Sequence, residues 1–198
     1  MSMWDEKYSD DSYFYGTEPN DFLKENVTHL PMSKVLCLAD GEGRNSVYLA
    51  KQGYSVTSVD ASPVGLDKAK RLAQENNVEI TTICADLNEF DLGDMEWDGI
   101  VSIFCHLPAP LRAKVHGAVP SALTVNGVFL LEAYTPKQLE FGTGGPRSEA
   151  FLMSQDQLTT DLDGLDFVQL HETIRTITEG QGHNGQSAVV QCIAKKRA

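Results

Sequence analysis

The amino-acid sequence predicts a single α/β domain over residues 1–198, built on a doubly wound, mainly parallel sheet of seven strands. Between residues 34 and 133, short β-branched segments alternate with segments of helical periodicity. The alternation then stops, and two long strand-like segments follow with a short glycine-rich link between them. A strand–helix–strand series requires parallel neighbours, whereas a short link favours antiparallel pairing. We therefore expect five parallel strands followed by an antiparallel C-terminal hairpin.

Each parallel strand is indicated by an apolar, β-branched segment that ends at a polar or glycine-containing turn. The predicted strands are 34–38, 55–59, 80–85, 99–104 and 128–133. The dipeptide Asn126-Gly127 is typical of a turn and is expected to lead into the fifth strand. The hairpin strands are predicted at 166–178 and 187–194, with residues 179–185 as the link.

Three helical segments are expected between these strands. The first covers 45–52, because Gly53 is a typical C-terminal stop. The second opens at Ser62, an N-cap residue that is followed by proline at the first helical position. The third covers 111–123 and is expected to be interrupted near Pro120, because proline lacks a backbone N–H and clashes with the preceding turn.

Composition argues against several classes of partner. The chain carries 16 basic and 28 acidic side chains, a net charge of −12, with no basic stripe for nucleic acid. It has no apolar run near the ~20 residues of a membrane span and no secretory signal at its N-terminus. The spacing of its four cysteines fits neither a zinc site nor a disulfide framework. We expect a cytoplasmic monomer or homodimer that binds a small molecule and no metal, nucleic acid or membrane.

Acidic residues end three consecutive predicted strands. Asp40, Asp60 and Asp86 should meet at one edge of the sheet, because the carboxyl ends of parallel strands lie together. Gly41 and Gly43 form a turn in which backbone can approach a ligand closely. A carboxylate at the end of the second strand can accept both hydroxyls of a ribose. The combination predicts an adenosine pocket.

The turn favours one adenosine cofactor over another. A dinucleotide fingerprint needs a third glycine or alanine, but Ser46 occupies that position. Asp40 and Glu42 flank Gly41, and such acidity suits a ligand with an ammonium and a sulfonium better than a pyrophosphate. These residues predict S-adenosylmethionine as the cofactor. A nicotinamide-dependent oxidoreductase and a non-catalytic cofactor-binding module remain as alternatives.

Several stretches of the sequence resemble known motifs. Residues 35–45, 48–50 and 59–62 are similar to the first two motifs of class I S-adenosylmethionine-dependent methyltransferases. Residues 4–8 and 142–146 resemble a branch of small bacterial enzymes associated with tellurite resistance and thiol methylation. The resemblance covers residues 4–195, although Ala39 stands where many members have a glycine. It implies a methyltransferase sheet with S-adenosylmethionine as the methyl donor.

The resemblance also implies roles for individual residues. Asp40, Gly41 and Gly43 would surround the methionine part of the cofactor, and Asp60 would hold the ribose. Phe104 would lie near the methyl-bearing sulfur. Residues at the ends of the second and third strands would contact the adenine, namely Ala61, Ser62, Ala85, Asp86 and Leu87.

Methyl transfer needs no nucleophilic side chain, because the cofactor supplies the reactivity and the protein supplies position and electrostatics. The expected acceptor is a small molecule, with a thiol or a selenium or tellurium oxyanion preferred. His106 and His183 are the candidate catalytic residues, and Tyr15, Arg147 and Arg175 are candidates for binding the acceptor. Each of them has a purely structural alternative. Residues 1–30 are expected to cover the cofactor as a lid or to pack into the core.

Overall fold

The computed structural model describes residues 2–197 and contains one sheet of seven strands. The strands are β1 Lys34–Leu38, β2 Ser55–Asp60, β3 Thr81–Cys84, β4 Trp97–Ile103, β5 Leu123–Tyr134, β6 Leu165–Glu179 and β7 His183–Lys196. The α-helices are α1 Met3–Lys7, α2 Asp21–Asn26, α3 Arg44–Lys51, α4 Pro63–Glu75, α5 Ala109–Ala122 and α6 Gln155–Asp161. Short 3-10 helices cover Val27–His29, Pro136–Glu140 and Glu149–Phe151.

The sheet has the strand order β3-β2-β1-β4-β5-β7-β6. Strands β1 to β5 run parallel, and β7 inserts antiparallel between β5 and β6. This arrangement confirms the predicted fold class and the terminal hairpin. Because β1 has β2 on one side and β4 on the other, the order reverses there, and a crevice forms beyond the carboxyl ends of these strands.

Both faces of the sheet are covered, so its central strands are buried nearly throughout. In β5, Phe129 and Leu131 belong to the apolar cluster that includes α5 and α6 residues. Leu130, between them, belongs to the opposite cluster with residues of α2 and α3. Side chains alternate across a strand, and continuous apolar runs are therefore typical of such doubly covered strands.

Helix α5 is not broken near Pro120, which was one of the two expected outcomes, a break or a kink. The helix continues through Pro120 and ends two residues later, at Ala122. Proline in the final turn forfeits one hydrogen bond, but Val115, Val119 and Ala122 are almost fully buried along the same helix. Burial of this apolar stripe outweighs the local preference.

The expected turn at Asn126-Gly127 is also wrong, because both residues lie within β5. The pairing with β4 moves from Trp97–Leu123 directly to Gly99–Val128, which leaves residues 124–127 as an irregular segment of the strand. Asn126 adopts a φ of +67° there, a conformation that asparagine tolerates better than most residues. The dipeptide bends a strand here and does not separate two elements.

The terminal hairpin is longer than predicted. Glu179 pairs with His183, so its tip consists of residues 180–182 only. His183 therefore lies in β7 and not in the link in which the sequence analysis placed it. A position in a strand fixes its backbone more firmly than a mobile tip would.

Gly43 should be intolerant of substitution. Its φ is +86°, and an added Cβ would lie 2.5 Å from the Cβ and 2.7 Å from the Cα of Ala69 on α4. We expect Gly43→Ala to lower the free energy of unfolding by about 1–3 kcal/mol, because both the backbone conformation and the close packing oppose it. Urea denaturation followed by circular dichroism measures the change.

The matched control is Gly117→Ala in α5, where no atom lies within 4 Å of the added Cβ. Alanine should stabilise that exposed helical position by up to about 1 kcal/mol. Equal effects of the two substitutions would contradict the packing argument.

Candidate active site

A cavity of about 740 Å³ lies at the carboxyl ends of β1 to β4, where the strand order reverses. Residues of the N-terminal segment (residues 2–20), the loop 144–146 and the hairpin tip complete its wall. The position is typical of ligand sites in open α/β sheets. The sequence-predicted residues that line it are Tyr15, Asp40, Asp60, Ala61, Ala85, Asp86, Leu87, Phe104, His106 and His183.

The carboxylate of Asp60 is held in a fixed plane by two backbone donors. The N–H of Gly41 lies 2.8 Å from Oδ2, and the N–H of Ser62 lies 2.8 Å from Oδ1. Burial raises the pKa of Asp60 despite these bonds. Each oxygen keeps a second lone pair, so the group can still accept two hydroxyl hydrogens from a vicinal diol.

Asp40 is oriented by two serines. Its Oδ2 accepts hydrogen bonds from Ser46 Oγ at 2.5 Å and from Ser58 Oγ at 2.9 Å. Burial raises the pKa of Asp40, and a cationic ligand group beside its Oδ1 would stabilise the ionised form. Ser46, which stands where the dinucleotide fingerprint has glycine or alanine, therefore orients Asp40 in this turn. Ala39 precedes the turn with a φ of +47°, a conformation in which glycine would be unstrained.

Gly41, Gly43 and Ser62 lie behind the cavity wall and are not among its lining residues. A Cβ on Gly41 would lie 2.7 Å from the hydroxyl of Tyr8, so this glycine makes room for the N-terminal segment. Ser62 caps α4 and donates to Asp5 Oδ1 at 2.6 Å. The structure thus gives these three residues scaffold roles, and a contact of their own with the cofactor stays a prediction.

Asp86 lies at the opposite end of the crevice from the hairpin elements, after β3 at the sheet edge. Its Oδ1 accepts from the N–H of Asn88 at 2.8 Å, while the side chain stays exposed. A partly free carboxylate with an ordered orientation can accept a hydrogen bond from a ligand amino group.

The other part of the cavity is aromatic. The ring of Phe104 lies 4.7 Å from Tyr134 and 4.4 Å from His183, centroid to centroid, and Tyr15 lies 4.5 Å from His183. Phe104 adopts a φ of +51° directly after β4, and its N–H donates to the carbonyl of Glu132 at 2.8 Å. This unusual conformation accompanies the turn of the chain away from the sheet beside the ring cluster.

His183 lines the cavity, and its Nδ1 has no hydrogen-bond partner among residues 2–197. Its Nδ1 lies 3.6 Å from Oε2 of Glu179, beyond hydrogen-bond distance. Burial lowers the pKa of His183, and Glu179 offsets this only in part. Burial opposes ionisation of Glu179 as well, but His183 and Arg44 stabilise the carboxylate and lower its pKa to about 2. The histidine is therefore neutral at pH 7 and able to accept a proton.

His106 is less free. Its Nδ1 lies 2.9 Å from the carbonyl oxygen of Phe151, and the N–H of Tyr134 points to its Nε2 at 3.5 Å. Burial lowers the pKa of His106 to about 4. Both ring nitrogens already have backbone partners, so the residue fastens the loop after β4 to the segment before α6.

Neither predicted arginine reaches the cavity. Arg175 forms a two-pronged pair with Glu132, with Nε–Oε1 at 2.8 Å and Nη2–Oε2 at 2.6 Å, and it also contacts Asp21. Arg147 is exposed on the loop after residue 146 and is not a lining residue. Their proposed contact with the acceptor has no support in the geometry.

A buried polar cluster beside the cavity was missed from the sequence. Asn20 Nδ2 donates to Glu132 at 2.7 Å and to Glu179 at 2.9 Å, and Arg44 lies 2.6 Å from Glu179. The cluster joins the N-terminal segment, α3, β5 and the hairpin. The sequence contains one indication of this cluster. Glu132 is a lone charge within the apolar run of β5, and such residues are rarely buried without partners.

The N-terminal segment is fastened by a buried lysine. Lys68 Nζ donates to the carbonyls of Tyr8, Asp10 and Ser12 at 3.3, 2.8 and 2.7 Å, and it lies 2.5 Å from Glu42 Oε1. Both charged side chains are almost fully buried. An ion pair of this kind positions the segment through directional bonds.

The N-terminal segment also packs on the hairpin tip. The N–H of Gln181 donates to the carbonyl of Phe14 at 2.8 Å. A Cβ on Gly182 would lie 2.3 Å from Tyr15 Cε1 and 2.6 Å from Phe14 Cε1, so only glycine fits beside these rings. The two parts of the chain therefore meet without space between them at this edge of the cavity.

Two further searches concern metals and membranes. Among residues 2–197, no group of three or more His, Cys, Asp or Glu side chains is arranged to hold a metal ion. No helix within the same range has the length and apolarity needed to cross a membrane.

The buried His106 should make stability depend on pH. Its folded-state pKa of about 4 lies below the usual 6.5, so between these values the unfolded chain binds a proton that the native protein does not. We expect this residue to reduce the free energy of unfolding by up to about 1.4 kcal/mol per pH unit as the pH falls from 6.5 to 4.

Urea midpoints of the wild-type protein and His106→Asn across that range measure the effect. The variant should show the shallower dependence on pH, whatever its stability at pH 7. Parallel curves would contradict the assignment of a buried, neutral histidine.

Comparison with known proteins agrees with this site. A family model described as a methyltransferase domain matches residues 35–127, which contain β1 to β4 and the acidic strand ends. An uncharacterized methyltransferase, sll0829, from Synechocystis sp. is 34% identical over 110 residues, covering 54% of this chain and 50% of that protein. The probable S-adenosyl-L-methionine-dependent methyltransferase TehB from Haemophilus influenzae is 38% identical over 69 residues, covering 35% of this chain and 24% of TehB. The chain thus spans half or less of the length of these curated relatives.

Solved structures extend the likeness to almost the whole chain. The crystal structure of TehB from Haemophilus influenzae superposes with a TM-score of 0.72 at 24% identity, over 89% of this chain and 62% of that one. A structure from work on the conversion of a disulfide bond into a thioacetal group during echinomycin biosynthesis gives 0.76 at 17% identity, over 98% and 88%. Residues 35–127 are therefore similar to a methyltransferase domain, and nearly the whole chain shares its fold with the TehB structure.

Proposed function

We propose that this protein transfers the methyl group of S-adenosylmethionine to a small-molecule nucleophile, with a thiol or a selenium or tellurium oxyanion as the preferred acceptor. One observation carries the proposal: a single cavity joins an acidic crevice at the strand ends to an aromatic compartment beside the hairpin. The first part suits a cationic nucleoside, and the second suits the acceptor.

The residues of the crevice fit the cofactor. Asp60 has two oriented oxygens for the ribose hydroxyls, and Asp40 has one for the ammonium group. Asp86, after β3, is available for the adenine amino group. The negative charges of the crevice also complement the positive sulfonium, which a nicotinamide dinucleotide lacks.

The protein acts through position more than through a reactive side chain. When bound, S-adenosylmethionine supplies an electrophilic methyl group, whose bond to sulfur breaks as the acceptor atom binds it and the electron pair stays on sulfur. Phe104, which packs against Tyr134, and Tyr15 line the cavity, where they exclude water from the acceptor and restrict its approach. An oriented encounter of this kind contributes roughly 7–11 kcal/mol to lowering the barrier.

His183 is the better candidate for a general base. Its ring lines the cavity, burial lowers its pKa, and its Nδ1 has no hydrogen-bond partner in the described part of the chain, so the ring can accept the proton of a thiol as the acceptor becomes anionic. His106 lacks this freedom because both of its nitrogens face backbone groups.

Cofactor affinity should depend on Asp60. Asp60→Asn replaces one acceptor oxygen with a donor and removes the charge, so we expect the dissociation constant of S-adenosylhomocysteine to rise about 10- to 100-fold. Titration calorimetry measures this constant. Asp67→Asn, on the exposed surface of α4, is the matched control and should leave it unchanged. Wild-type protein that does not bind at tens of micromolar would refute the proposal.

Turnover should depend on His183. We expect His183→Ala to lower kcat for a thiol acceptor about 10- to 100-fold, because a positioned base is lost while the crevice stays intact. His171→Ala, an exposed histidine on the same hairpin, should behave as the wild-type protein. A panel of thiols, amines, phenols and chalcogen oxyanions in a methylation assay identifies the acceptor.

The affinity for S-adenosylhomocysteine separates chemistry from binding in this experiment. Equal loss of cofactor affinity and turnover in His183→Ala would show that the hairpin serves the cofactor. Cofactor binding without methylation of any acceptor in the panel would support the non-catalytic binding module.

A further inference from the structure

Two cationic side chains, Lys7 and Arg44, line the cavity within residues 2–197. Arg44 is neutralised by Glu179, 2.6 Å from its Nη2. Lys7 has no carboxylate within 4.0 Å in the described part of the chain. Among the described residues, Lys7 is therefore a cavity-lining cation without a directly paired carboxylate.

The surroundings of Lys7 place its ammonium beside the aromatic compartment. Its Nζ lies 3.3 Å from the hydroxyl of Tyr15, whose ring is 4.5 Å from that of His183. The charge is close enough to His183 to oppose protonation of the imidazole. The next residue, Tyr8, follows α1 and lies against Gly41, so consecutive residues of the N-terminal segment serve the two parts of the cavity.

Aromatic rings position the Lys7 ammonium but do not accept its hydrogen bonds as oxygen atoms would. It lies 4.6 Å from the ring centroid of Trp4 and 4.9 Å from that of Phe14, positions that attract a cation. Of its three N–H donors, one has an oxygen partner within residues 2–197, the hydroxyl of Tyr15. Partial burial lowers the pKa of Lys7, since the cation has lost part of its hydration. An anionic group beside Lys7 would pair with this charge and accept hydrogen bonds from its ammonium.

We propose that Lys7 selects acceptors that carry a negative charge, by pairing with an anionic group of the acceptor while the nucleophilic atom lies against Phe104 and His183. This inference rests on the proposed methyl transfer and narrows its substrate class to small anionic acceptors, such as thiols with one carboxylate. The carboxylate of the cofactor is the competing partner for Lys7, and the experiment separates the two.

The test compares two acceptors of nearly equal shape, 3-mercaptopropionate and its uncharged amide. In Lys7→Met, which keeps the length of the stem, kcat/KM for the anion should fall roughly tenfold through KM, whereas the value for the amide should change less than twofold. Because each variant is compared with the wild-type protein on the same acceptor, differences in thiol acidity cancel. Lys7→Arg should retain most of the preference, and Lys24→Met, on the exposed face of α2, all of it.

A second readout does not need turnover. Calorimetric titration of 3-mercaptopropionate into the protein loaded with S-adenosylhomocysteine should show the same tenfold weakening in Lys7→Met. If that weakening occurs but no acceptor is methylated, the proposed function fails and the anion subsite stands.

Three results would overturn the inference. The first is an equal change for the anion and the amide, and the second is no binding of the anion to the loaded wild-type protein at millimolar concentration. The third is a fall in S-adenosylhomocysteine affinity with unchanged discrimination between the acceptors, which would assign Lys7 to the cofactor carboxylate.

Discussion

The reversal of strand order between β1 and β4 is the constraint on which the site depends. Parallel strands all end at one edge, and the connections on either side of β1 leave toward opposite faces of the sheet. The space between them cannot be filled by the connections themselves. A ligand cavity at this place is therefore a consequence of topology, and the acidic residues at the strand ends determine which ligand it suits.

Closure of the cavity relies on buried charges more than on apolar contact. Lys68 and Glu42 fasten the N-terminal segment, and Asn20 bridges Glu132 and Glu179 beneath it. Loss of one member of such a pair is costly because the other remains buried and uncompensated. Hydrogen bonds of this kind specify one position of the segment, whereas an apolar patch would tolerate sliding.

The parts of the structure that sequence could predict are those set by neighbouring residues. Strand β1, the N-cap at Ser62 and the acidic strand ends follow from local pattern, and the structure has all of them. The continuation of α5 through Pro120 does not follow from local pattern, because it depends on burial of Val119 against strands that are distant in sequence. Local preference and tertiary packing disagree there, and packing prevails.

Side-chain partners were harder to predict than elements. Arg175 resembled a free anion-binding group in the sequence, but Glu132, 43 residues earlier, occupies it. Lys7 shows the reverse, since nothing nearby in sequence indicates that it would reach a cavity formed by strand ends. Which charges are neutralised depends on contacts across the fold, and a single sequence contains no local record of them.

The contact between Gly182 and the rings of Phe14 and Tyr15 affects how reactants and products enter and leave the cavity. The N-terminal segment and the hairpin tip meet at this rim, and their backbones touch there. A reactant that enters at this rim must part them, and the product must part them again to leave. The width to which this contact opens, more than the volume of the cavity behind it, would then determine how bulky a molecule the protein can process.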